Sequence, residues 1–199
     1  MRLRREIGPT VVDLIMDYIP VTLLTGFLGS GKSSLLTQIL TEPGFGDTAV
    51  VVNEFGEVGL DGFLVEHADD QIVEMTSGCL CCTIRGDIRE TLLVLFERRD
   101  KGEIPAFRRL IVESTGLADP APVIHTLMSD PSLERRYMLG GIVATIDAIN
   151  GSGTLDAHVE CVKQAAVADR LVITKTDLVE RAAVGKGVMQ LIAKLRTLN

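Results

Sequence analysis

One eight-residue segment, Gly26-Phe-Leu-Gly-Ser-Gly-Lys-Ser33, constrains the fold of this chain more than any other feature. It satisfies the pattern G-x-x-x-x-G-K-[ST], which average residue frequencies produce by chance in roughly one chain of this length per hundred or more. An apolar run at residues 21–25 predicts a strand before it, and a helix is predicted to begin at Lys32. A strand, a glycine-rich loop and a helix N-terminus in this order form a phosphate-binding loop. The alternative is a glycine-rich turn without a ligand.

The residue types of this loop suit a nucleoside triphosphate with Mg²⁺. Glycines let successive backbone N–H groups turn toward a phosphate. Lys32 is expected to reach the β- and γ-phosphates, and Ser33 is expected to offer its hydroxyl to Mg²⁺. The predicted nucleotide-binding residues of this segment are Gly26, Gly29, Ser30, Gly31, Lys32, Ser33 and Ser34.

A second buried run, at residues 110–113, ends in an acid. Its last residue is Glu113, and Gly116 stands three positions later. At the carboxyl end of a strand beside the phosphate loop, Glu113 can contribute to the Mg²⁺ site, and the N–H of Gly116 can contact the γ-phosphate. Lys32 and Glu113 are therefore the predicted catalytic residues. For Glu113 or Gly116 alone, a solvated strand end is the alternative.

The segment Thr174-Lys-Thr-Asp177 ends another predicted strand, at residues 170–174. The Asp177 carboxylate can accept hydrogen bonds from the N1–H and 2-amino groups of guanine, which adenine lacks. The aliphatic stem of Lys175 can lie over the base. In a chain with a phosphate loop, Lys175 and Asp177 predict GTP binding. An ATP-using kinase is a further alternative, and Asp177 argues against it.

Three of the four cysteines crowd into Gly78-Cys-Leu-Cys-Cys-Thr83. Thiolates are soft ligands that suit zinc, and cobalt or nickel with less preference. We predict a transition-metal site at Cys79, Cys81 and Cys82, open at one position as a carrier requires. Because adjacent side chains diverge in an extended backbone, ligation by two of the three cysteines is an alternative to ligation by all three. A redox thiol pair or inert buried thiols are the alternatives. His67 could supply a fourth ligand, whereas Cys161 is predicted to be a core thiol.

A polar, glycine-containing segment lies between the phosphate loop and the cysteines, at residues 52–61. Its candidate switch residues are Asn53, Glu54, Gly56 and Glu57, which could touch both the γ-phosphate and the metal. On residue chemistry alone, a surface hairpin is an equal alternative.

Net charge and cysteine content limit which classes of partner, and which cellular compartment, we expect for this chain. The 199 residues carry a net charge of −7, so we expect no nucleic-acid or membrane partner. No apolar run approaches the ~20 residues of a membrane span, and no cleavage site follows the N-terminal arginines. Clustered cysteines indicate a reducing compartment, which we take to be the cytoplasm.

Short apolar runs alternate with helix-length amphipathic stretches along the chain. Nearly continuous apolar strands are buried on both faces, which predicts a mostly parallel sheet between two helical layers: an α/β P-loop NTPase sandwich. We expect an N-terminal extension at residues 1–18 and one GTPase domain at residues 19–199. The predicted strands are 21–25, 48–53, 71–75, 110–113, 141–147 and 170–174, and the predicted helices are 32–40, 84–99, 154–168 and 182–198.

In this order, the motifs resemble the CobW-type GTPases, metallochaperone-like relatives of the nickel-insertion GTPases of urease and hydrogenase. The resemblance rests on the phosphate loop, Asn53-Glu-Phe-Gly-Glu57, the cysteine motif and Glu113-Ser-Thr-Gly-Leu-Ala-Asp-Pro120. It implies a slow, Mg²⁺-dependent GTPase whose nucleotide state controls binding of zinc or cobalt at the cysteines. It also implies release of the metal to a client protein, and it leaves a homodimer open.

The chain departs from that family in three respects. Thr174 replaces an asparagine whose amide would tie the base-binding loop to the phosphate loop, so guanine selectivity is expected to be softer. The family continues past Asn199 with a last strand and a further domain, so we expect a truncated chain. Residues 1–17 match nothing in the family. The rival interpretation is a metal-binding module without efficient GTPase activity.

Overall fold

A computed structural model describes residues 18–53, 72–74, 80–84, 87–179 and 181–199. Among these residues, seven strands form one sheet in the order β3-β4-β2-β5-β1-β6-β7. Only the β3–β4 pair is antiparallel, so the predicted mostly parallel sheet is confirmed. The strands are β1 (Ile19–Gly26), β2 (Thr48–Asn53), β3 (Ile72–Glu74), β4 (Leu80–Ile84), β5 (Arg109–Glu113), β6 (Tyr137–Asp147) and β7 (Arg170–Thr174).

The described ranges also contain six α-helices and two 3₁₀ turns, most of which connect these strands. The helices are α1 (Lys32–Thr41), α2 (Ile88–Asp100), α3 (Ala121–Ser129), α4 (Gly151–Ala157), α5 (Val159–Val167) and α6 (Arg181–Leu195). The short turns are Pro43–Phe45 and Thr176–Leu178.

Three sequence predictions of these elements were wrong. The helix predicted from residue 84 begins at Ile88, where the Asp87 side chain accepts a hydrogen bond from the amide of Arg89, and Ile84 is instead the last residue of β4, a strand that was not predicted. The single helix predicted at residues 154–168 is two, because the backbone of His158 is extended between α4 and α5. Helix α3 was not predicted. It follows Asp119, whose carboxylate accepts a hydrogen bond from the Ala121 amide.

Alternate residues of the central strands enter separate cores on the two faces of the sheet. Ala49 and Val51 pack with the residues beneath α2 and α3, whereas Val50 and Val52 pack with Leu36 of α1. A third cluster lies between β6 and helices α4, α5 and α6. Burial on both faces explains why these strands are continuously apolar.

Parallel pairing brings the carboxyl ends of six strands to one edge of the sheet. Gly26, Glu113, Asp147 and Thr174 all lie at that edge, as the last residues of β1, β5, β6 and β7. Ligands of open α/β sheets bind at this edge. Within the described ranges, none of the helices has the length and apolar character needed to cross a membrane.

Candidate nucleotide and metal site

The segment between β1 and α1 has the backbone of a phosphate-binding loop. Gly26, Gly29 and Gly31 have φ values of 139°, 71° and 90°, in the region that side chains rarely adopt. Ser30 lies inside the turn, where its amide donates to the carbonyl of Phe27 at 3.0 Å. Helix α1 begins directly after Gly31, with its first amides facing the loop.

Gly26 is required by a close approach to β6. A Cβ atom at Gly26 would lie 2.3 Å from the Thr145 hydroxyl and 2.8 Å from the Ser30 hydroxyl. These two hydroxyls are themselves hydrogen-bonded at 2.6 Å and buried. The loop is therefore fixed to the neighbouring strand by a contact that only glycine permits.

Lys32 places its ammonium group against the loop. The side chain is buried, and Nζ donates to the carbonyl oxygens of Gly26 at 2.9 Å and Phe27 at 3.3 Å. A cation beside the helix N-terminus adds to the positive field of the backbone N–H groups. This arrangement can attract and neutralise a phosphate.

Ser33, in the first turn of α1, contacts Glu113, the last residue of β5, although eighty positions separate them in sequence. The Ser33 hydroxyl donates to Oε1 of Glu113 at 3.0 Å, and Glu113 is only 5% exposed. A hydroxyl and a carboxylate are hard oxygen donors, which Mg²⁺ prefers. The donor set therefore fits Mg²⁺, with Ser33 and Glu113 as the residues that would hold it.

The loop after β5 contacts the phosphate loop directly. A Cβ atom at Gly116 would lie 2.5 Å from the Leu28 nitrogen, so the backbones of the two loops touch. The Ser114 hydroxyl donates to the Thr25 hydroxyl at 2.9 Å. The structure thus places Gly116 beside the phosphate loop, as the sequence predicted.

The expected loss of a tie at Thr174 was wrong. The Thr174 hydroxyl donates to the Ser30 carbonyl at 2.6 Å, so a hydroxyl links β7 to the phosphate loop where an amide was expected. A Cβ atom at Gly31 would also contact Thr174, at 3.5 Å. The argument for softer guanine selectivity therefore loses its physical basis.

Lys175 is held by a residue that sequence reasoning missed, Asp147. Lys175 has the left-handed φ of 57°, and its Nζ donates to Asp147 Oδ2 at 2.8 Å. Asp147 is buried, and it also accepts from the Ile149 amide at 2.7 Å and from Asn150 Nδ2 at 3.1 Å. Burial alone would raise the pKa of Asp147, but these hydrogen bonds hold that pKa below its usual value. An acid at the end of a buried strand, the signal used for Glu113, would have found Asp147.

Asp177 lies next to these residues and faces solvent. It belongs to the 3₁₀ turn Thr176–Leu178, directly after β7. An exposed carboxylate at this edge of the sheet is accessible to a base held near Lys175.

A cavity of about 180 Å³ adjoins the phosphate loop on the side of β6 and α5. Open space therefore borders both the loop and Lys175. The residues that line it are Phe27, Leu28, Gly29, Ser30, Thr145, Ile146, Asp147, Asn150, Gly151, Thr154, Cys161 and Lys175.

Cys81 and Cys82 of the cysteine motif lie on β4, next to the antiparallel edge strand β3. The backbones of Cys81 and Cys82 pair with β2 on one side and β3 on the other. Of the predicted transition-metal and switch residues, the structure describes only the backbones of Cys81, Cys82 and Asn53. Asn53 is the last residue of β2. The predicted Cys79, Glu54, Gly56, Glu57 and His67 lie outside the described residues.

The register of the strands gives the distance between the cysteines of β4 and β1, the strand that leads into the phosphate loop. Cys82 lies opposite Val51, which lies opposite Val112. Val112 in turn pairs with Leu23 of β1. Three strand spacings separate Cys82 from β1, which corresponds to ~14 Å at about 4.8 Å each.

Cys161 is a core thiol, as predicted. It is 2% exposed within the cluster beneath α4, α5 and α6, and burial raises its pKa to about 11. A thiol that stays protonated at neutral pH is a poor metal ligand.

A family model described as the CobW/HypB/UreG nucleotide-binding domain matches residues 20–199. The zinc chaperone YjiA of Escherichia coli (strain K12) is 43% identical over 167 residues, which cover 84% of this chain and 52% of that protein. The zinc-regulated GTPase metalloprotein activator 1 of Schizosaccharomyces pombe is 36% identical over 193 residues, covering 94% of this chain and 46% of that protein. The chain therefore spans about half the length of these relatives.

Solved structures agree with these sequence matches. The crystal structure of the Zn(II)-bound YjiA GTPase from E. coli superposes with a TM-score of 0.73 at 41% identity, covering 90% of this chain and 54% of that one. HypB from Helicobacter pylori in complex with nickel has a TM-score of 0.54 at 17% identity, covering 91% of this chain and 76% of that chain. The HypB likeness supports the fold alone.

Proposed function

This chain belongs to the CobW/HypB/UreG family of nucleotide-binding domains, and from that premise we propose that it is a Mg²⁺-dependent GTPase domain that carries zinc. One observation carries the nucleotide half of the proposal. Ser33 and Glu113 are hydrogen-bonded at 3.0 Å beside the buried ammonium of Lys32, which supplies the donors that a metal-bound triphosphate requires.

Guanine is the base that the loop after β7 fits best. The exposed Asp177 carboxylate can accept from guanine N1–H and the 2-amino group, while Asp147 fixes the ammonium of Lys175 and so orients its stem. Thr174 keeps this loop at a set distance from the phosphate loop. The Asp177 carboxylate supports GTP over ATP, and the other two contacts set the position of the loop that carries it.

Hydrolysis in this site is a matter of positioning and charge. Bound Mg²⁺ would neutralise charge on the β- and γ-phosphates. Lys32 would hold the same oxygens from the loop side, Ser33 and Glu113 would fix the cation, and the Gly116 N–H would contact the γ-phosphate. We propose an intrinsic turnover on the order of 10⁻⁴ to 10⁻² s⁻¹ without a partner.

The proposed cargo is zinc, held at Cys79, Cys81 and Cys82. The support is the soft donor chemistry of the motif and the zinc named for the relatives in E. coli and S. pombe. Cobalt is a second cargo that the same donors could take. A carrier that needs free thiolates works in a reducing compartment such as the cytoplasm, and it requires a client protein to receive the metal.

Strand β2 is the proposed link between the two sites. It pairs with the cysteine strand on one side and with the Glu113 strand on the other, placing Val52 opposite Glu113. The candidate switch residues Asn53, Glu54, Gly56 and Glu57 begin at the end of β2. A γ-phosphate that orders this segment would shift the zinc affinity of the neighbouring thiolates.

Calorimetric zinc titration in reducing buffer tests the proposal, with and without Mg²⁺ and a non-hydrolysable GTP analogue. We expect the nucleotide to change zinc affinity about 5- to 150-fold, the range typical of linked sites. Cys81→Ser should reduce zinc affinity by more than about tenfold, since even residues that only support metal ligands are worth that much.

The matched control is Cys161→Ser, which alters a buried thiol remote from β4 and should leave zinc binding unchanged. Tight zinc binding that ignores nucleotide would favour the second candidate, a metal-binding module without coupled GTPase activity. Zinc binding that survives Cys81→Ser, Cys82→Ser and their combination would refute the proposed cargo site.

A further inference from the structure

Gln164 is a fully buried polar side chain that neither the family motifs nor the proposed chemistry use. It lies in the middle of α5 and is 0% exposed. Its Nε2 donates to the carbonyl oxygens of Gly116 at 3.1 Å and of Ala118 at 3.0 Å. Both acceptors belong to the loop after β5, whose backbone touches the phosphate loop at Leu28.

The orientation of this amide is chemically fixed. Carbonyl oxygens only accept hydrogen bonds, so the group facing Gly116 and Ala118 must be the NH₂ end of Gln164. Its Oε1 is buried and has no hydrogen-bond partner among the described residues. A buried amide oxygen without a partner costs stability. The two hydrogen bonds that Nε2 donates to the loop are therefore the interactions that favour this orientation of Gln164.

Helix α5 reaches both loops of the site. At its start, His158 stacks on Phe27 of the phosphate loop with ring centroids 4.5 Å apart. In its middle, Gln164 holds the loop after β5. The neighbouring Lys163 also reaches this loop, through Asp119 at 2.7 Å, but that pair is half-exposed and exposed pairs contribute little.

We propose that Gln164 is a positioning residue that sets the Gly116 loop for the γ-phosphate, and hence the discrimination between GTP and GDP. The inference rests on the proposed GTPase function. Fixing the carbonyl of Gly116 restricts the backbone rotation of this glycine, and with it the direction in which its N–H can donate a hydrogen bond to a γ-phosphate. GDP lacks that phosphate, so its affinity should not depend on Gln164.

The test compares the dissociation constants of a non-hydrolysable GTP analogue and of GDP in the wild type and in Gln164→Met. Methionine keeps the length and the packing but removes both donors. We expect the analogue-over-GDP preference to fall about three- to tenfold, the worth of one or two hydrogen bonds, with GDP affinity unchanged. Gln190→Met, an exposed position on α6, is the matched control.

An equal loss of affinity for the GTP analogue and for GDP would show a merely structural role and overturn the inference. An unchanged preference for the analogue over GDP would also overturn it. Should Gln164→Met fail to fold, Gln164→Glu gives a second readout. A protonated carboxyl can donate one hydrogen bond to the loop and an ionised one cannot, so its preference should weaken as pH rises. A preference that follows the wild type across pH would equally overturn it.

The controls separate this inference from the function on which it rests. A wild-type chain that binds neither nucleotide would refute the GTPase proposal itself. A wild-type chain that prefers the analogue, with variants that keep the same preference, would refute only the role of Gln164.

Discussion

The phosphate half and the cysteine half of the sheet are built in different ways. Around the phosphate loop, side chains far apart in sequence meet: Ser30 with Thr145, Lys175 with Asp147, and Gln164 with the loop after β5. The cysteine motif is contiguous in sequence, and its Cys81 and Cys82 lie on β4, next to the edge strand of the sheet.

This difference shows why the two sites respond differently to change. A nucleotide site assembled from β1, β5, β6 and β7 depends on the register of the whole sheet, so distant substitutions can disturb it. A proposed metal motif whose cysteines adjoin in sequence should depend mainly on its own residues. The proposed GTP-controlled carrier would need both properties, and β2 lies between the two regions.

The largest expected effect is that of Lys32→Ala on the phosphate half. Removing one charge that stabilises the transition state typically lowers the rate about 10²- to 10³-fold. We expect a loss of this size in single-turnover GTP hydrolysis, with zinc affinity in the absence of nucleotide unchanged. Lys194→Ala, which removes a half-buried lysine of α6 that pairs with Asp156, should hydrolyse GTP at the parental rate. Parental hydrolysis by Lys32→Ala would remove Lys32 from the catalytic assignment.

Gly26→Ala should disturb the same half through packing. Its Cβ would lie 2.3 Å from the Thr145 hydroxyl at a φ of 139°, so overpacking and backbone strain act together. We expect the free energy of unfolding in urea to fall by about 2–4 kcal/mol. Gly153→Ala is the matched control, because Gly153 lies in α4 with nothing within 4 Å of its added Cβ. Equal stability of the two variants would contradict the close approach.

Thr174→Val tests how far the nucleotide site depends on one distant contact, the hydrogen bond from Thr174 to the Ser30 carbonyl. Valine keeps the shape but cannot donate to the Ser30 carbonyl, so GTP affinity should fall about three- to tenfold. Thr174→Asn should restore much of it, because an amide can donate to the same carbonyl. Competition binding of GTP against ATP is the measurement. Full GTP affinity in Thr174→Val would show that the tie to the phosphate loop is dispensable.

The smallest expected effect is the pH dependence that Asp147 contributes. Its pKa in the folded chain lies below the usual value, so the ionised form stabilises the fold above about pH 4 and this contribution disappears as pH falls. The difference in unfolding free energy between wild type and Asp147→Asn should therefore narrow below that pH. A constant difference from pH 7 to pH 3 would argue against the buried Lys175–Asp147 pair.

Local chemistry was sufficient to predict much of this molecule. The phosphate loop, the strand that ends at Glu113 and the loop that begins at Thr174 were each marked by residues adjacent in sequence. Sequence reasoning failed where the signal was not local. Neither glycine nor proline marks the break between α4 and α5 at His158. Strand β4 was not predicted, and its last residue, Ile84, was assigned to the following helix.

By itself, the sequence determined that an α/β sheet carries a phosphate loop at one edge, because glycine spacing and apolar runs are local properties. Only the tertiary structure decided which distant groups complete the site. The Thr174 hydroxyl makes the link to the phosphate loop that an asparagine amide was expected to make, because the position of β7 beside β6 brings it to the Ser30 carbonyl. Asp147 and the Nε2 of Gln164 are both hydrogen-bonded, as most buried polar groups are. Which groups they bond to depends on the order of the strands and on how the helices pack on the sheet.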